Sequence, residues 1–186
     1  QRQMCIRDSV YAMSLLSDIA KKFGYYDDAE ILLENAVKFS PDDGEIRMKY
    51  ALILRLKQKF TETMEQVNIL CEKFPDNLSY QAQKASEIMQ NGYHSEAIDL
   101  FEKIIKENPY NFSAMTSKGH AEKTLGKTDK AIESYKSAYK IKNDHGEAYF
   151  SLSNLKTYKF SDKELDVMKN QLKRVDLTLK LSLIHI

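Results

Sequence analysis

The segment from Ala121 to Thr128, AEKTLGKT, is the part of the sequence that most resembles a ligand-binding motif. A small residue, four others and then Gly-Lys-Thr match a loose form of the phosphate-binding loop. Such a loop follows a β-strand and surrounds phosphate with backbone N–H groups. Here the segment follows a helical pattern, and Gly126 lies 34 residues after Gly92. We therefore interpret it as a turn between two helices.

The histidines and the internal cysteine do not have the spacing of a metal or catalytic site. His94, His120 and His145 have no Cys or carboxylate at ligand spacing. We expect His94 and His145 to face solvent and His120 to face a groove. Cys71 is expected to be a buried, inert thiol. The sequence therefore predicts no catalytic residue, no metal ligand and no cofactor.

The composition excludes several classes of protein. The 186 residues contain 28 Lys and Arg against 27 Asp and Glu, so a globally basic nucleic-acid-binding protein is not expected. Hydrophobic residues make up 42%, enough to form a core. No apolar run is long enough to span a bilayer. Two cysteines form no disulfide framework, so we expect a reducing compartment and a cytoplasmic protein.

The two ends of the chain, QRQMCIRDS and LSLIHI, share an unusual property. They can be encoded by nucleotide strings that are reverse complements of each other, and these strings resemble the transposase mosaic end of a sequencing adaptor. We interpret residues 1–9 and 181–186 as translated adaptor. The natural segment is then a metagenomic fragment of roughly 10–180, and both natural termini are missing.

A period of 34 residues organises the segment between these ends. Pro41, Pro75 and Pro109 are spaced by 34, and Gly24 lies two periods before Gly92. Within each period the apolar residues step by three and four, which predicts amphipathic helices over 26–39, 94–107 and 128–141. The glycines suit the turn after a first helix. The Asp, Ser or Thr that follows each turn suits an N-cap, and proline suits the end of the second helix.

This pattern resembles the tetratricopeptide repeat family. Four repeats can be placed at 10–43, 44–77, 78–111 and 112–145, with a partial fifth at 146–158. The family's small eighth position is filled by Ser17, Ala51, Ala85 and Gly119, and continues at Ser153. Its Ala at position 20 is Ala29, Thr63, Ala97 and Ala131, and its bulkier position 24 is Leu33, Val67, Phe101 and Tyr135. The chain departs from the pattern in three ways: it has no Trp, its second repeat lacks the turn glycine, and Asn143 replaces the fourth proline.

The resemblance implies an all-α fold, a helical-hairpin solenoid wound as a right-handed superhelix. In this family the first helices line a concave groove that binds a peptide or protein segment. The groove-facing positions of the family fall on fifteen residues here. They are Tyr11, Ser14, Asp18, Met48, Leu52, Arg55, Ala82, Ser86, Met89, Ser113, Thr116, His120, Lys123, Phe150 and Asn154.

The fifth period departs from the pattern. Ser161 with Glu164 predicts a capping box. The spacing of Leu165, Met168, Leu172 and Val175 predicts an amphipathic capping or linker helix within 159–180. The run GEAYFSLSNLKTYKFSDKELDVMKNQL is similar to the join between tetratricopeptide repeats and a sulfotransferase domain in bacterial two-part proteins. The resemblance implies that the missing downstream part carries a sulfotransferase. The alternative is an ordinary cap of an unrelated repeat protein.

We therefore expect a non-catalytic protein-interaction scaffold, with no nucleic acid and no membrane as partner. Two hypotheses remain for the parent protein. It is either a sulfotransferase whose repeats present an acceptor, or a stand-alone adaptor with no enzymatic domain. The sequence does not define the partner, the source organism or the oligomeric state.

Overall fold

A computed structural model describes residues 2–172, with side chains from Asp8 to Gln171. That part of the chain contains ten α-helices and no β-strand, so the predicted all-α fold is confirmed. The helices are α1 (Arg2–Lys22), α2 (Tyr26–Phe39), α3 (Gly44–Leu56), α4 (Phe60–Lys73), α5 (Leu78–Gln90), α6 (His94–Glu107), α7 (Phe112–Thr124), α8 (Thr128–Ile141), α9 (Gly146–Ser153) and α10 (Asp162–Leu172).

The helices belong to two compact units, unit 1 up to Glu87 and unit 2 from Ile88 onward, with the division inside α5. In unit 1, α1 packs on α2, α2 on α3, and α3 on α4. In unit 2, α6 packs on α7, α7 on α8, and α8 on α9. The second helices α2 and α8 thus contact both their own partner and the first helix that follows, as expected when one hairpin cannot bury both of its faces.

Small residues form the contacts between paired helices, as the period predicts. Every side chain at the two small positions is buried, and the four at position 20 are fully buried. The bulkier residues beside them are at most 1% exposed. Ser153 is the exception, because α9 ends at this residue and its side chain remains exposed.

The turn after each first helix has one conformation in all four repeats. Gly24, Gly92 and Gly126 have φ angles of 81°, 90° and 74°, and Gln58 takes the same place in the second repeat with φ 61°. The amide that follows closes the turn by bonding to a carbonyl five residues back, as in Lys59 N–H to Leu54 C=O at 2.9 Å. The second repeat therefore keeps the turn although it lacks the glycine.

The prediction that Asp, Ser or Thr side chains cap the second helices is wrong. The N-cap residues of α2, α4, α6 and α8 are Tyr25, Lys59, Tyr93 and Lys127, and none makes a side-chain cap hydrogen bond. The predicted helix bounds of 26–39, 94–107 and 128–141 are confirmed, and Thr128 is therefore the first residue of α8 and not its N-cap. The acidic residues after the turns lie in the first helical turn, where they complement the helix dipole.

Side-chain caps occur instead at the start of first helices. Asp43 accepts hydrogen bonds from the N–H groups of Glu45 and Ile46, and Asn77 and Asn111 cap α5 and α7 in the same way. These three residues are spaced by 34. A carboxylate or amide oxygen satisfies the free amides of the first turn. His145 holds the equivalent place before α9 and makes no side-chain cap hydrogen bond.

The predicted capping box of α10 is confirmed. Ser161 N–H donates to Glu164 Oε2 at 2.8 Å, and Glu164 N–H donates to Ser161 Oγ at 3.4 Å. The hydroxyls of Tyr139 and Tyr158 both donate to Glu164 Oε1 at 2.5 Å. These bonds dock α10 against α8. Val175, the rest of the predicted cap to Lys180 and the adaptor-like residues 181–186 lie outside the described residues.

Candidate binding face

The predicted groove residues of unit 1 lie on three successive first helices, and polar contacts join these helices. Lys49 Nζ donates to Ser14 Oγ at 2.8 Å and to Asp18 Oδ2 at 2.6 Å, which ties α3 to α1. Arg55 Nη1 lies 3.3 Å from Glu87 Oε1 and ties α3 to α5. We call this surface the unit-1 face. Its members are Tyr11, Ser14, Asp18, Met48, Leu52, Arg55, Ala82 and Ser86.

The side chains of the unit-1 face differ in their accessibility. Tyr11 is 66% exposed, whereas Ser14 is 8% exposed and holds the Lys49 ammonium. Met48, Leu52, Arg55, Ala82 and Ser86 are half-buried, as is Asp18. Ser14 therefore lies below the exposed side chains and supports the face through its contact with Lys49. Whether Ser14 contacts a ligand stays a prediction.

The unit-2 face contains Met89, Ser113, Thr116, His120, Lys123, Phe150 and Asn154. Thr116 is only 2% exposed, so it too supports the face from below. Its hydroxyl donates to Phe112 C=O at 3.0 Å, and its oxygen lies 2.8 Å from His145 Nε2. Since the Thr116 proton is already used, the His145 Nε2–H must be the donor. This bond joins α7 to the start of α9.

His120 connects the unit-2 face to the core beneath it. Its Nε2 lies 3.3 Å from Glu147 Oε1, and its Nδ1 lies 3.0 Å from the hydroxyl of Tyr135. A carboxylate can only accept, so Nε2 of the ring donates to Glu147, and in the tautomer with its proton on Nε2 the Nδ1 atom accepts from Tyr135. Burial and the Glu122 carboxylate raise the pKa of Tyr135 to about 12, so its hydroxyl keeps its proton at neutral pH. His120 is half-buried, and its groove-facing position stays a prediction.

The prediction that His94 and His145 face solvent is wrong. Both rings are half-buried, and His94 Nδ1 is buried with no hydrogen-bond partner among the described residues. His145 packs edge-on against Phe112, with ring centroids 4.9 Å apart. Burial lowers the pKa of His145, aided by Lys142 and His120 and opposed by Glu147 and Asp144. His145 is therefore neutral at pH 7.

Four side chains of the unit-2 face are exposed. Phe150 is 52% exposed on α9, and Asn154, Ser113 and Lys123 are also exposed. They combine a large apolar surface, an amide, a hydroxyl and a cation. Such a mixture suits the side chains and backbone of an extended peptide or an amphipathic helix.

Two buried carboxylates and the Lys49 bridge were not anticipated from the sequence. Glu87 is 1% exposed and bonded by Arg55 and Gln83, and Glu122 is 2% exposed and accepts from Ser134 Oγ at 2.7 Å. The positions of Glu87 and Glu122 within the repeat could have indicated that both carboxylates are buried. Glu87 occupies the phase of Ile19 and Ile53, and Glu122 occupies the phase of Ala20, Leu54 and Ile88. A carboxylate at an apolar phase indicates a buried, paired charge.

The other sequence features with possible chemistry have structural roles. Gly126 lies in the turn between α7 and α8, so the AEKTLGKT segment is the end of a helix and its turn. Burial raises the pKa of the half-buried Cys71 thiol, which keeps it protonated.

Within residues 2–172, no group of three His, Cys, Asp or Glu side chains could hold a metal ion. None of the helices in that range has the length and apolar character of a membrane span. An open depression of about 590 Å³ is lined by residues 73–79, at the link between α4 and α5.

Comparison with known proteins agrees with this architecture. Residues 112–145 match the family model of the tetratricopeptide repeat. A 95-residue region is 30% identical to the probable UDP-N-acetylglucosamine–peptide N-acetylglucosaminyltransferase SPINDLY of Arabidopsis thaliana. That match covers 51% of this chain and 10% of the relative. By its name this relative is a glycosyltransferase, so the resemblance to a sulfotransferase stays a hypothesis.

Solved structures show the same fold at low sequence identity. MamA 41-end from Desulfovibrio magneticus RS-1 superposes with a TM-score of 0.67 at 13% identity, covering 96% of each chain. YrrB, described as a TPR protein with an unusual peptide-binding site, gives a TM-score of 0.65 at 17% identity and covers 76% of this chain and 73% of its own. The described part of the chain thus has the all-helical fold of tetratricopeptide-repeat proteins, and residues 112–145 are a tetratricopeptide repeat.

Proposed function

We propose that this chain is a non-catalytic protein-interaction scaffold whose unit-1 and unit-2 faces bind a peptide or protein segment. The observation that carries the proposal is the unit-2 face itself. Its supporting residues Thr116 and His120 are held by hydrogen bonds within the fold, while Lys123, Phe150 and Asn154 remain exposed. A fixed base with free side chains above it is pre-organised, which lowers the entropic cost of binding.

Two further observations support a peptide ligand. YrrB, whose fold is similar, is described as having an unusual peptide-binding site. The exposed apolar ring of Phe150 is an anchor of the kind that contributes most of the energy at peptide interfaces. We infer a cytoplasmic location from the low cysteine content.

A pair of phenylalanines provides a direct test. Peptides would be selected from a random library on the full chain, and their affinities measured for Phe150→Ala and Phe39→Ala. Phe150 is 52% exposed on the unit-2 face, and Phe39 is 58% exposed at the end of α2, outside both faces. We expect at least a tenfold loss of affinity for Phe150→Ala and less than a twofold change for Phe39→Ala. Equal effects of the two substitutions would contradict the proposal.

For the parent protein we propose a group-transfer enzyme, with these repeats presenting a polypeptide acceptor to a downstream sulfotransferase domain. The similarity between the end of this chain and the join in such two-part proteins favours this candidate. The SPINDLY match adds that a relative carrying a similar region is a transferase whose name gives peptide as the acceptor. A stand-alone adaptor is the alternative.

Reading the gene beyond Lys180 separates these two candidates. An open frame that continues into a strand–loop–helix phosphate cradle supports the transferase. A stop codon soon after Lys180 leaves the stand-alone adaptor. The peptide-binding test on Phe150 is independent of this result, because it concerns the chain alone.

A further inference from the structure

One asparagine of this chain combines a reactive neighbour with an unrestrained side chain. Asn91 is followed by Gly92, and none of the eight other asparagines precedes a glycine. The pair forms the turn between α5 and α6, where both residues are exposed and Gly92 has a φ of 90°. The side chain of Asn91 makes no hydrogen bond with any other described residue. Its amide group can therefore rotate in solvent.

The chemistry open to this pair is attack of a backbone nitrogen on a side-chain amide, a reaction to which asparagine is prone. Gly92 N forms a bond to Cγ of Asn91, and the bond from Cγ to Nδ2 breaks. The proton of the Gly92 amide passes through solvent to the leaving nitrogen, which departs as ammonia. Water then opens the cyclic imide at either carbonyl and leaves aspartate or isoaspartate. Water is the only co-reactant, and no oxidant or reductant takes part.

The backbone at Gly92 permits this attack. Glycine has no Cβ atom beside the attacking nitrogen and rotates through both signs of φ. In the turn its N–H donates to Met89 C=O at 3.1 Å, so this bond must open before the nitrogen can reach Cγ. The bond lies at an exposed helix end, where local opening requires little free energy. The turn therefore delays the reaction without preventing it.

The other asparagines lack this combination. Three lie inside helices, where the amide of the next residue is bonded within the helix; they are Asn35, Asn68 and Asn170. Three accept a backbone N–H at a cap or turn, which holds the side chain in place; they are Asn77, Asn108 and Asn111. The last two are exposed, but a residue with a side chain follows each of them; they are Asn143 and Asn154.

The pair Asp43–Gly44 could form the same cyclic imide, but the fold restrains it. Asp43 Oδ1 accepts the N–H groups of Glu45 and Ile46 at 3.0 and 3.1 Å, so its carboxylate is fixed as the N-cap of α3. Gly44 is closely packed, since a Cβ atom built on it would lie 2.5 Å from the hydroxyl oxygen of Tyr80. An acyl side chain before glycine is therefore not sufficient, and the structure singles out the open turn at Asn91.

We propose that Asn91 is a site of spontaneous deamidation, and that its isoaspartyl product opens the turn between α5 and α6. The substrate is the chain itself, and the reaction needs no enzyme. The proposal goes beyond the proposed function, because it involves neither a bound peptide nor a downstream domain.

Isoaspartate changes the path of the backbone through the turn. The main chain then runs through the former side chain, so one extra carbon atom separates residue 91 from residue 92. Tyr93 N–H closes the turn on Ile88 C=O at 3.1 Å, and this bond spans the inserted atom. Its geometry cannot be kept. The new carboxylate also lies at the C-terminal end of α5, where the helix dipole disfavours negative charge.

The full chain would be incubated at neutral and at mildly alkaline pH, and its tryptic peptides followed by mass spectrometry. The peptide 85–103 contains Asn91 and no other asparagine. Asn143 is the internal control, because it is also exposed in a turn but is followed by Asp144. We expect Asn91 to deamidate at least tenfold faster than Asn143, and faster at the higher pH, where the Gly92 amide loses its proton more often. Equal rates at the two asparagines would overturn the proposal.

Asn91→Gln is the matched variant. Phe23, Lys57 and Leu125 fill the same repeat position, so the turn does not require asparagine and this variant should fold. Its peptide 85–103 should keep its mass during the incubation, because the longer side chain does not form the five-membered imide readily. An equal change of mass in this variant would place the reaction at another residue and overturn the proposal.

A second measurement tests the opening of the turn. Chromatography would isolate the isoaspartyl form, and Asn91→Asp would serve as its reference, since it carries the same new charge without the extra backbone atom. The isoaspartyl form should unfold at a lower urea concentration than Asn91→Asp. Equal unfolding midpoints, or a product that contains aspartate alone, would overturn the proposal.

Discussion

Gly119 of α7 lies directly against the ring of Tyr135 of α8. A Cβ atom built on Gly119 would lie 2.6 Å from Cε1 of Tyr135 and 2.8 Å from Cδ1. Tyr135 is fully buried, and its hydroxyl is held by His120, so the ring has little freedom to move away. The absence of a side chain at Gly119 is thus what allows α7 and α8 to approach closely around a large aromatic residue.

Gly119→Ala should lower the free energy of unfolding by about 1–3 kcal/mol, because the added methyl group overpacks this contact. The sign is informative, since Gly to Ala in an unobstructed helix stabilises by roughly 0.5–1 kcal/mol. Urea denaturation measures the difference. Combining Gly119→Ala with Tyr135→Leu should restore part of the loss, and purely additive effects would argue against a direct contact.

Gln58→Gly should stabilise the protein by about 0.5–1 kcal/mol. Gln58 has a φ of 61°, which is a left-handed backbone conformation. This conformation is energetically unfavourable for residues that have a Cβ atom, whereas glycine adopts it at almost no cost. Gln90→Gly is the matched control, because Gln90 is the last residue of α5 and has no positive φ. That control should destabilise by a similar amount. Loss of stability in Gln58→Gly would contradict the turn geometry.

Acid should release α10. Burial of Glu164 would raise its pKa, but hydrogen bonds from Tyr139, Tyr158 and Ser161 outweigh that effect and lower the pKa from 4.5 to about 2. A carboxyl with a lowered folded pKa stabilises above its unfolded value, and this contribution is lost as the pH falls from about 4.5 toward 2. The protection factors of the α10 amides, which compare each exchange rate with that of an unfolded chain at the same pH, should therefore fall across that range.

Glu164→Gln is the control for this acid response. Its α10 amides should already exchange faster at pH 7 and should show a weaker dependence on pH between about 5 and 2. An unchanged profile relative to the parent chain would show that another group controls the docking of α10.

Two stacked tyrosines should respond in opposite ways to removal of their hydroxyls. Tyr139 and Tyr149 stack with ring centroids 4.7 Å apart, but only the Tyr139 hydroxyl has a partner, at Glu164, whereas the buried Tyr149 hydroxyl has none among the described residues. Tyr139→Phe should cost about 1.5–3 kcal/mol, because it removes a hydrogen bond to a charged group. Tyr149→Phe should be neutral or stabilise by about 1 kcal/mol. Thermal unfolding of both variants measures the contrast, and a large loss in Tyr149→Phe would indicate an ordered water as its partner.

The repeat made the hairpins predictable because the same steric demand recurs at each period. A small residue at positions such as Ala97 and Ala131 is required wherever two helices cross closely, so spacing alone locates the crossings. Gln58 shows that the repeat requires a particular backbone conformation at the turn and not glycine itself, since the turn keeps this conformation without glycine.

The side-chain details were less predictable because they depend on residues that are distant in the sequence. The burial of His145 is produced by Phe112 and Thr116, 33 and 29 residues earlier at the start of the same repeat. The apolar period within a single helix cannot show such a contact. Whether the fifteen predicted groove residues bind a ligand stays a prediction. The structure adds that Ser14 and Thr116 act as supports beneath the two faces.

The two kinds of helix start have a consequence for how this chain can tolerate mutation. First helices rely on the side chains of Asp43, Asn77 and Asn111, so substitutions at those sites should be restricted to other short polar acceptors. Second helices begin at a turn closed by the backbone, so their N-cap side chains are not required for capping. Genetic drift can therefore alter one end of every hairpin, where new surface properties can accumulate without loss of the fold, while the other end stays fixed.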